Sequence, residues 1–271
     1  MTNGRHCCGI DRRQLLITGL TAGAAAGLAG LAPGSARAAA EDRYAPPAEG
    51  ALPATDVELD HDRAALLVID PLVDFLDPEG VAWDVVKDNV EELGTIDNLE
   101  RLFEAAHAAE LPVVVSPHYY YPHDHEWDFG GPLERMMHDM GMFRLQERFA
   151  DIEGTGADFL ERFKPYIENG RAIVTSPHKV YGPENNDVVL QLRKRGISQV
   201  ILAGMSANLC VESHLRSLLE QGFEVAVVRD ATAAAQLPEG DGYLAALINF
   251  RFIANALWST DEAVERLDRR T

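Results

Sequence analysis

Cys210 stands where the sequence pattern would place a nucleophile. An apolar run at 200–203 ends at Gly204, and a helical pattern begins near Asn208, so Cys210 falls in the first turn of the predicted helix. The unpaired N–H groups and the positive end of the helix dipole favour a thiolate at that place. We therefore predict an activated thiolate at Cys210. On composition alone the alternative stays open, namely an inert cysteine that packs as a small hydrophobic residue.

Two charged residues follow other apolar runs and are the predicted partners of this cysteine. Asp70 ends the run Ala64–Ile69, and Lys179 lies a few residues beyond the run that ends at Thr175. The carboxyl ends of parallel strands meet at one edge of a sheet, where α/β proteins place their sites. A carboxylate there would accept the thiol proton and pass it to a leaving amine, while an ammonium would orient the carboxylate and offset its charge.

The elements that must position these residues alternate between short apolar runs and helical patterns. Such alternation favours right-handed βαβ crossovers and a parallel sheet covered on both faces. We therefore predict a three-layer α-β-α fold of Rossmann-like topology, with a central, mostly parallel sheet of six strands. The predicted strands lie at 64–69, 112–116, 173–175, 200–203, 225–228 and 256–258, and the longest helical pattern is at 84–109.

The chain divides into three predicted segments. Residues 1–38 resemble an export signal, because Arg12 and Arg13 precede a mildly apolar run and small residues near Ala38 suit cleavage. A twin-arginine signal predicts a periplasmic or secreted protein, while a Sec signal or a retained anchor are the alternatives. Residues 39–62 are predicted to be a linker, and 63–271 a single domain with a long excursion at 117–170.

Composition limits the partners that the protein can have. The 271 residues carry a formal net charge of −19, from 43 acidic and 24 basic side chains. Such a surface repels nucleic acid and anionic membranes, so we expect a small molecule as the partner. Cys7 and Cys8 lie in the predicted leader, and its removal leaves Cys210 without an intramolecular disulfide partner.

Three segments together resemble the isochorismatase-like cysteine hydrolase superfamily, which includes nicotinamidases and N-carbamoylsarcosine amidohydrolase. They are 64–75 (AALLVIDPLVDF), 176–182 (SPHKVYG) and 204–214 (GMSANLCVESH). The last is the most specific, because it combines a small-residue turn, Cys-Val and a following acidic residue. The resemblance covers about 200 residues, which is the size of one α/β domain.

The resemblance assigns roles to individual residues. It implies a catalytic triad of Asp70, Lys179 and Cys210, and a cis peptide bond between Met205 and Ser206. It further implies that the backbone N–H groups of Ser206 and Cys210 form an oxyanion hole. Homodimers or homotetramers are also common in the superfamily.

The chain departs from the superfamily pattern at the substrate side. Leu72 replaces the usual glutamine of the first motif, and Gly182 follows Tyr181 where a serine is common. The sequence motifs therefore say less about the identity of the substrate than about the catalytic triad. The aromatic and polar residues expected to line the pocket are Phe75, His118, Tyr120, Tyr121, Trp127 and Tyr181.

Nicotinamidases bind a metal ion after the second strand, which raises the question of zinc in this chain. His118 and Tyr120 align with the first metal-ligating Asp and His, so the pattern is altered. His118, His123 and His125 are the remaining candidates for zinc, and the alternative is that they form a pocket wall. We expect no required cofactor. His138 and His178 are interpreted as ordinary polar residues near the site.

The resemblance and the three polar residues together predict an enzyme that hydrolyses non-peptide C–N bonds. Cys210 would attack a small amide, ureide or imide carbonyl and form a thioester that water then hydrolyses. One alternative is hydrolysis of an isochorismate-type vinyl ether, which needs no cysteine nucleophile. Another is a catalytically silent small-molecule-binding protein on the same fold.

Overall fold

Six parallel strands form the centre of the molecule. The computed structural model describes residues 43–128, 130–145 and 152–268. The strand order is β3-β2-β1-β4-β5-β8, with parallel pairing at each step, which confirms the predicted fold class. The strands are β1 Ala64–Ile69, β2 Val113–Ser116, β3 Ile173–Val174, β4 Gln199–Met205, β5 Glu224–Ala233 and β8 Ala256–Trp258, with β6 Gln236–Leu237 and β7 Gly240–Asp241 in a small antiparallel pair.

Helices cover both faces of the sheet. The α-helices are α1 Val73–Leu76, α2 Trp83–Leu93, α3 Thr95–Ala108, α4 Pro132–Met140, α5 Lys164–Ile167, α6 Val188–Lys194, α7 Glu212–Glu220, α8 Gly242–Ile253 and α9 Thr260–Asp268. Short 3₁₀ turns lie at Pro122–Glu126, Glu161–Phe163 and Pro183–Asn185. Every residue of β1 is buried, as expected for a strand covered on both faces.

Alternate residues of β1 enter two separate hydrophobic cores. Leu66 and Val68 pack in the core that contains Leu99 and Phe103 of α3, whereas Leu67 lies in the core on the other face. The second core includes buried side chains of α6, α7 and α8. This alternation follows from the two-residue period of a strand. The two cores hold β1 and β4 at the centre of the sheet.

The predicted helix at 84–109 is two helices in the structure. α2 ends at Leu93 and α3 begins at Thr95, with Gly94 between them at φ 67°. A glycine adopts this left-handed conformation without the steric penalty of a side chain, so it ends one helix and starts the next. The apolar periodicity of the sequence continues across Gly94, so it did not indicate that one helix ends there and another begins.

The segment 43–62, predicted to belong to a linker, is anchored to the domain. Tyr44 and Val57 are buried, and the Tyr44 hydroxyl donates to Asp241 at 3.0 Å. The backbone N–H of Asp60 donates to the side chain of Gln199 at 2.8 Å. The predicted signal at 1–38 lies outside the described residues. Within the described ranges, no helix has both the length and the apolar character needed to cross a membrane.

Candidate active site

Gly204 allows the end of β4 to approach β1 closely. Gly204 has φ 113° and pairs with Ile69, and a Cβ at this position would overlap the backbone of Ile69. Only glycine fits without displacing that strand. The approach brings the segment after β4 next to Asp70, the residue that follows Ile69 in the chain.

Cys210 lies just beyond this point, in a π-helical turn at Ala207–Val211 that runs directly into α7. Its side chain is buried and its thiol is free. The thiol lies 4.0 Å from the backbone oxygen of Val180, and the backbone N–H groups of Ser206 and Cys210 favour a negative charge on the sulfur and so act to lower its pKa. The peptide bond between Met205 and Ser206 is cis, as the resemblance implied.

Asp70 lies at the carboxyl end of β1 and is fully buried, with a left-handed backbone at φ 48°. Its carboxylate interacts with three groups: the thiol of Cys210, the backbone N–H of His118 and the ring of His178. Burial raises the pKa of Asp70 to about 7, and the nearby histidines and hydrogen bonds limit that rise. A carboxyl with this pKa can both accept and donate a proton near neutral pH.

The predicted thiolate is not the resting state of Cys210. Burial, the adjacent charge of Asp70 and the hydrogen bond to its carboxylate raise the pKa of the Cys210 thiol well above its usual value. The backbone N–H groups of Ser206 and Cys210 lower this pKa, but by less. The helix dipole favours the anion, yet desolvation in a buried site costs more. The resting form of Cys210 is therefore the neutral thiol.

Lys179 does not take the place that the sequence predicted for it. Its ammonium donates to the backbone oxygen of Tyr119 at 3.0 Å and to the carboxylate of Asp124 at 2.7 Å. It also lies 3.8 Å from the centre of the Tyr121 ring. These contacts tie the segment after β3 to the start of the excursion, and the ion pair that the ammonium forms within the described part of the chain is with Asp124 and not with Asp70.

His178 is the residue that contacts Asp70 instead. Its Nε2 lies 3.0 and 3.1 Å from the two carboxylate oxygens, and its side chain is fully buried. His178, interpreted from the sequence as a polar residue near the site, is thus the direct partner of the carboxylate. The strand-end position and the resemblance predicted Lys179 for this place, but neighbouring residues in an extended segment point in opposite directions.

Three neutral histidines surround the carboxylate. Burial lowers the pKa of His118, His178 and His214 to about 3. His214 donates from Nδ1 to the backbone oxygen of Cys210 at 2.7 Å, and its Nε2 accepts from the hydroxyl of Ser116 at 2.9 Å. Sequence reasoning missed His214, although its position four residues after Cys210 places both on one helical face.

The predicted pocket residues differ in how close they lie to Cys210. Tyr120 is fully buried, and its hydroxyl has no hydrogen-bond partner among the described residues. Its ring centre lies 4.8 Å from that of His118, and Tyr181 follows Val180, whose backbone oxygen is 4.0 Å from the Cys210 sulfur. Phe75 packs on Phe143 with ring centres 5.2 Å apart, and so belongs to the core. The other candidates, Tyr121 and Trp127, lie on Lys179 and beside Tyr120 respectively.

His118, His123 and His125 do not form one ligand set. His123 is mostly exposed beside Asp124, and Nδ1 of His125 lies 2.9 Å from Nδ1 of His138. Among the described residues, the group with ligand atoms close enough for a metal ion is Asp70, His118, His178 and Cys210, all within 4.8 Å of one another.

The fold and the site define a three-layer α/β protein with a buried Asp-Cys pair at the carboxyl edge of its sheet. The isochorismatase domain matches residues 64–260, and the chain belongs to the isochorismatase family.

Individual relatives match only part of this chain. An uncharacterized isochorismatase family protein, YecD of Escherichia coli O157:H7, is 47% identical over 49 residues, 18% of this chain and 26% of YecD. The ureidoacrylate amidohydrolase RutB of Pseudomonas savastanoi pv. phaseolicola is 29% identical over 147 residues, 52% of this chain and 58% of RutB. The chain therefore spans less than two thirds of these relatives. A cysteine hydrolase structure from Pseudomonas syringae pv. phaseolicola has a TM-score of 0.67 at 18% identity, covering 81% of this chain and 99% of that one, which shows the shared fold.

Proposed function

We propose that the protein is a cysteine-dependent hydrolase of a small amide, ureide or imide C–N bond. The observation that carries the proposal is the proximity of the Cys210 sulfur to the buried carboxylate of Asp70, with ligand atoms within 4.8 Å of each other. A nucleophile beside a base is the first requirement of covalent acyl transfer. In the proposed site His178 lies beside the carboxylate, where the resemblance implied Lys179.

The reaction divides into acylation and deacylation. As the sulfur of Cys210 attacks the carbonyl carbon, its proton moves to Asp70, and the tetrahedral oxyanion accepts hydrogen bonds from the N–H groups of Ser206 and Cys210. Asp70 then protonates the leaving nitrogen, the C–N bond breaks and a thioester remains. Water next loses a proton to Asp70 and attacks the thioester. The proton returns to the sulfur when the acid product leaves.

His178 keeps Asp70 in position without adding charge. A neutral imidazole donates one hydrogen bond to the carboxylate, whereas an ammonium would also lower its pKa through its charge. The pKa of Asp70 therefore stays at about 7. This value suits a group that accepts a proton in one step and donates it in the next.

The substrate class is suggested by the pocket and by a relative. Tyr120, whose ring lies 4.8 Å from that of His118, presents an unpartnered buried hydroxyl, which can bind a polar atom of a planar small molecule. RutB is named as an amidohydrolase that acts on ureidoacrylate. Ureides are therefore the first substrates to test. The proposed chemistry requires no cofactor.

The decisive experiment measures ammonia release from small amides, ureides and nicotinamide, with wild-type protein and Cys210→Ser. We expect release from at least one substrate, its loss in the variant by about 10²-fold or more, and a thioester adduct on Cys210 by mass spectrometry after acid quenching. His123→Asn, at a mostly exposed side chain, is the matched control and should keep wild-type activity. A Cys210→Ser protein that releases ammonia at the wild-type rate would refute the proposal.

A further inference from the structure

Asp70, His118, His178 and Cys210 form a compact group of four different side chains. All four are buried, and one potential ligand atom from each lies within 4.8 Å of the others. We propose that this group binds one Zn²⁺ ion, which holds the thiol as a metal thiolate and reversibly stops hydrolysis. The binding site stands on the geometry alone, whereas its inhibitory effect rests on the proposed function.

The ligand types fit zinc. Zn²⁺ takes four ligands in a tetrahedron, with bonds of about 2.3 Å to sulfur and about 2.0–2.2 Å to imidazole nitrogen and carboxylate oxygen. These bond lengths place tetrahedral ligand atoms roughly 3.3–3.7 Å apart. The widest separation in the group, at most 4.8 Å, must therefore shorten by about 1 Å. Side-chain rotations of that size leave the backbone in place.

His118 already has the hydrogen bonding of a metal ligand. Its Nε2 lies 3.2 Å from the backbone oxygen of Lys179, while its Nδ1 is buried and has no hydrogen-bond partner. Metal-binding histidines commonly donate one ring N–H to a backbone carbonyl, which leaves the lone pair of the other nitrogen for the ion. An unpartnered buried nitrogen costs free energy in the protein alone, and a bound ion would remove that cost.

The charges of the site also favour a divalent ion. A bound Zn²⁺ with the thiolate of Cys210, the carboxylate of Asp70 and two neutral imidazoles has a net charge of zero. A neutral assembly is the one that a fully buried site accommodates at least cost. Binding releases the thiol proton and any proton on Asp70 to solvent. A lysine in place of His178 would remove a ligand and add a positive charge, so the histidine is what makes the site suitable.

Cobalt is a direct probe of this site. The protein, freed of metal with a chelator, is titrated with Co²⁺, and the near-ultraviolet charge-transfer band of a cobalt thiolate is recorded. Calorimetry with Zn²⁺ gives the stoichiometry. We expect one ion per chain, a cobalt thiolate band and its complete loss in Cys210→Ser. His118→Asn and His178→Lys should each weaken Zn²⁺ binding by about tenfold or more.

His123→Asn is the matched control, because His123 lies outside the group, and it should bind Zn²⁺ as the wild type does. Circular dichroism of each variant identifies one that has not folded, and the cobalt band of the wild type needs no variant. Absence of that band, or unchanged binding in both folded His118→Asn and His178→Lys, would overturn the proposed site.

Activity separates this inference from the proposed function. We expect the metal-free protein to release ammonia, one equivalent of Zn²⁺ to abolish the release, and a chelator to restore it. Full activity without any cobalt thiolate band would overturn the zinc site and leave the hydrolase intact. Activity that appears only after Zn²⁺ is added would overturn the inhibitory role. Failure of the proposed function is seen independently, as ammonia release that survives Cys210→Ser in metal-free protein.

Discussion

The Nε2 atom of His178 lies 3.0 and 3.1 Å from the two carboxylate oxygens of Asp70, and both residues are fully buried. The partner of the proposed base is therefore an uncharged ring. Because the ring holds the carboxylate without neutralising it, burial dominates the electrostatics of Asp70. This arrangement leads to a specific pH dependence.

In the wild type, kcat/KM should rise with pH through about 7, because Asp70 acts as a base only after losing its proton. His178→Lys would place an ammonium beside the carboxylate and lower its pKa. We expect the acid limb of kcat/KM to move to lower pH by about 1–2 units. The measurement is a pH profile of ammonia release between pH 5 and 9 for both proteins. An unmoved limb in an active variant would show that Asp70 does not control the profile.

Asp70→Asn should change two properties of Cys210 in opposite directions. Loss of the carboxylate charge lowers the thiol pKa, so iodoacetamide should label Cys210 faster near pH 7 than in the wild type. Loss of the base should reduce ammonia release by about 10²–10⁴-fold. Asparagine tolerates the left-handed backbone at this position, so the fold should persist.

The same labelling assay tests the resting thiol. Wild-type Cys210 should react more slowly than free cysteine near pH 7 and approach the rate of free cysteine when the protein is unfolded in urea. Fast labelling of the folded wild type would contradict the raised thiol pKa.

Lys179→Met should affect stability more than catalysis. The change leaves the nearly buried carboxylate of Asp124 without its cation, and should lower the free energy of unfolding by about 1–3 kcal/mol. We expect kcat to fall less than tenfold. Urea unfolding and ammonia release measure the two effects, and Lys179→Met with Asp124→Asn should be less destabilised than Lys179→Met alone. A loss of kcat above 10²-fold in a folded variant would show that Lys179 takes part in catalysis as a member of the triad.

The three buried histidines predict sensitivity to acid. The pKa of each is about 3 in the fold and near 6.5 when unfolded, so between these values the unfolded chain binds more protons. Each histidine then lowers the free energy of unfolding by about 1.4 kcal/mol per pH unit as pH falls below 6.5. Asp70 offsets the effect of one histidine, because its raised pKa makes the folded protein bind one more proton between pH 3.8 and about pH 7.

His214→Asn should reduce the difference in bound protons between the unfolded and folded states by about one, which makes the free energy of unfolding less dependent on pH. Urea unfolding at pH 7.5, 6 and 5 measures the slope for the wild type and the variant. Equal slopes in His214→Asn and the wild type would show that His214 is not neutral in the fold.

Much of the fold and part of the site could be predicted from the sequence. Strands buried on both faces are continuous apolar runs, so β1 and β4 were visible, and Asp70 and Cys210 followed as the residues at or just beyond their carboxyl ends. The choice between His178 and Lys179 was not visible, because a one-residue difference in an extended segment decides which side chain faces Asp70. The resting thiol was also hidden, since desolvation depends on residues remote in sequence that bury Cys210.

The buried ring of Tyr44 limits where the chain could be cut without loss of core contacts. Its hydroxyl also accepts from Asn89 at 3.2 Å and from Gln236 at 3.1 Å, and its ring meets that of Tyr243 edge to face at 4.6 Å. A peptidase that cut after Ala38, as the sequence predicts, would leave these contacts intact. A cut ten residues later would remove an aromatic side chain from the core. Any cut on the carboxyl side of Tyr44 would therefore cost core packing, whatever the specificity of the peptidase.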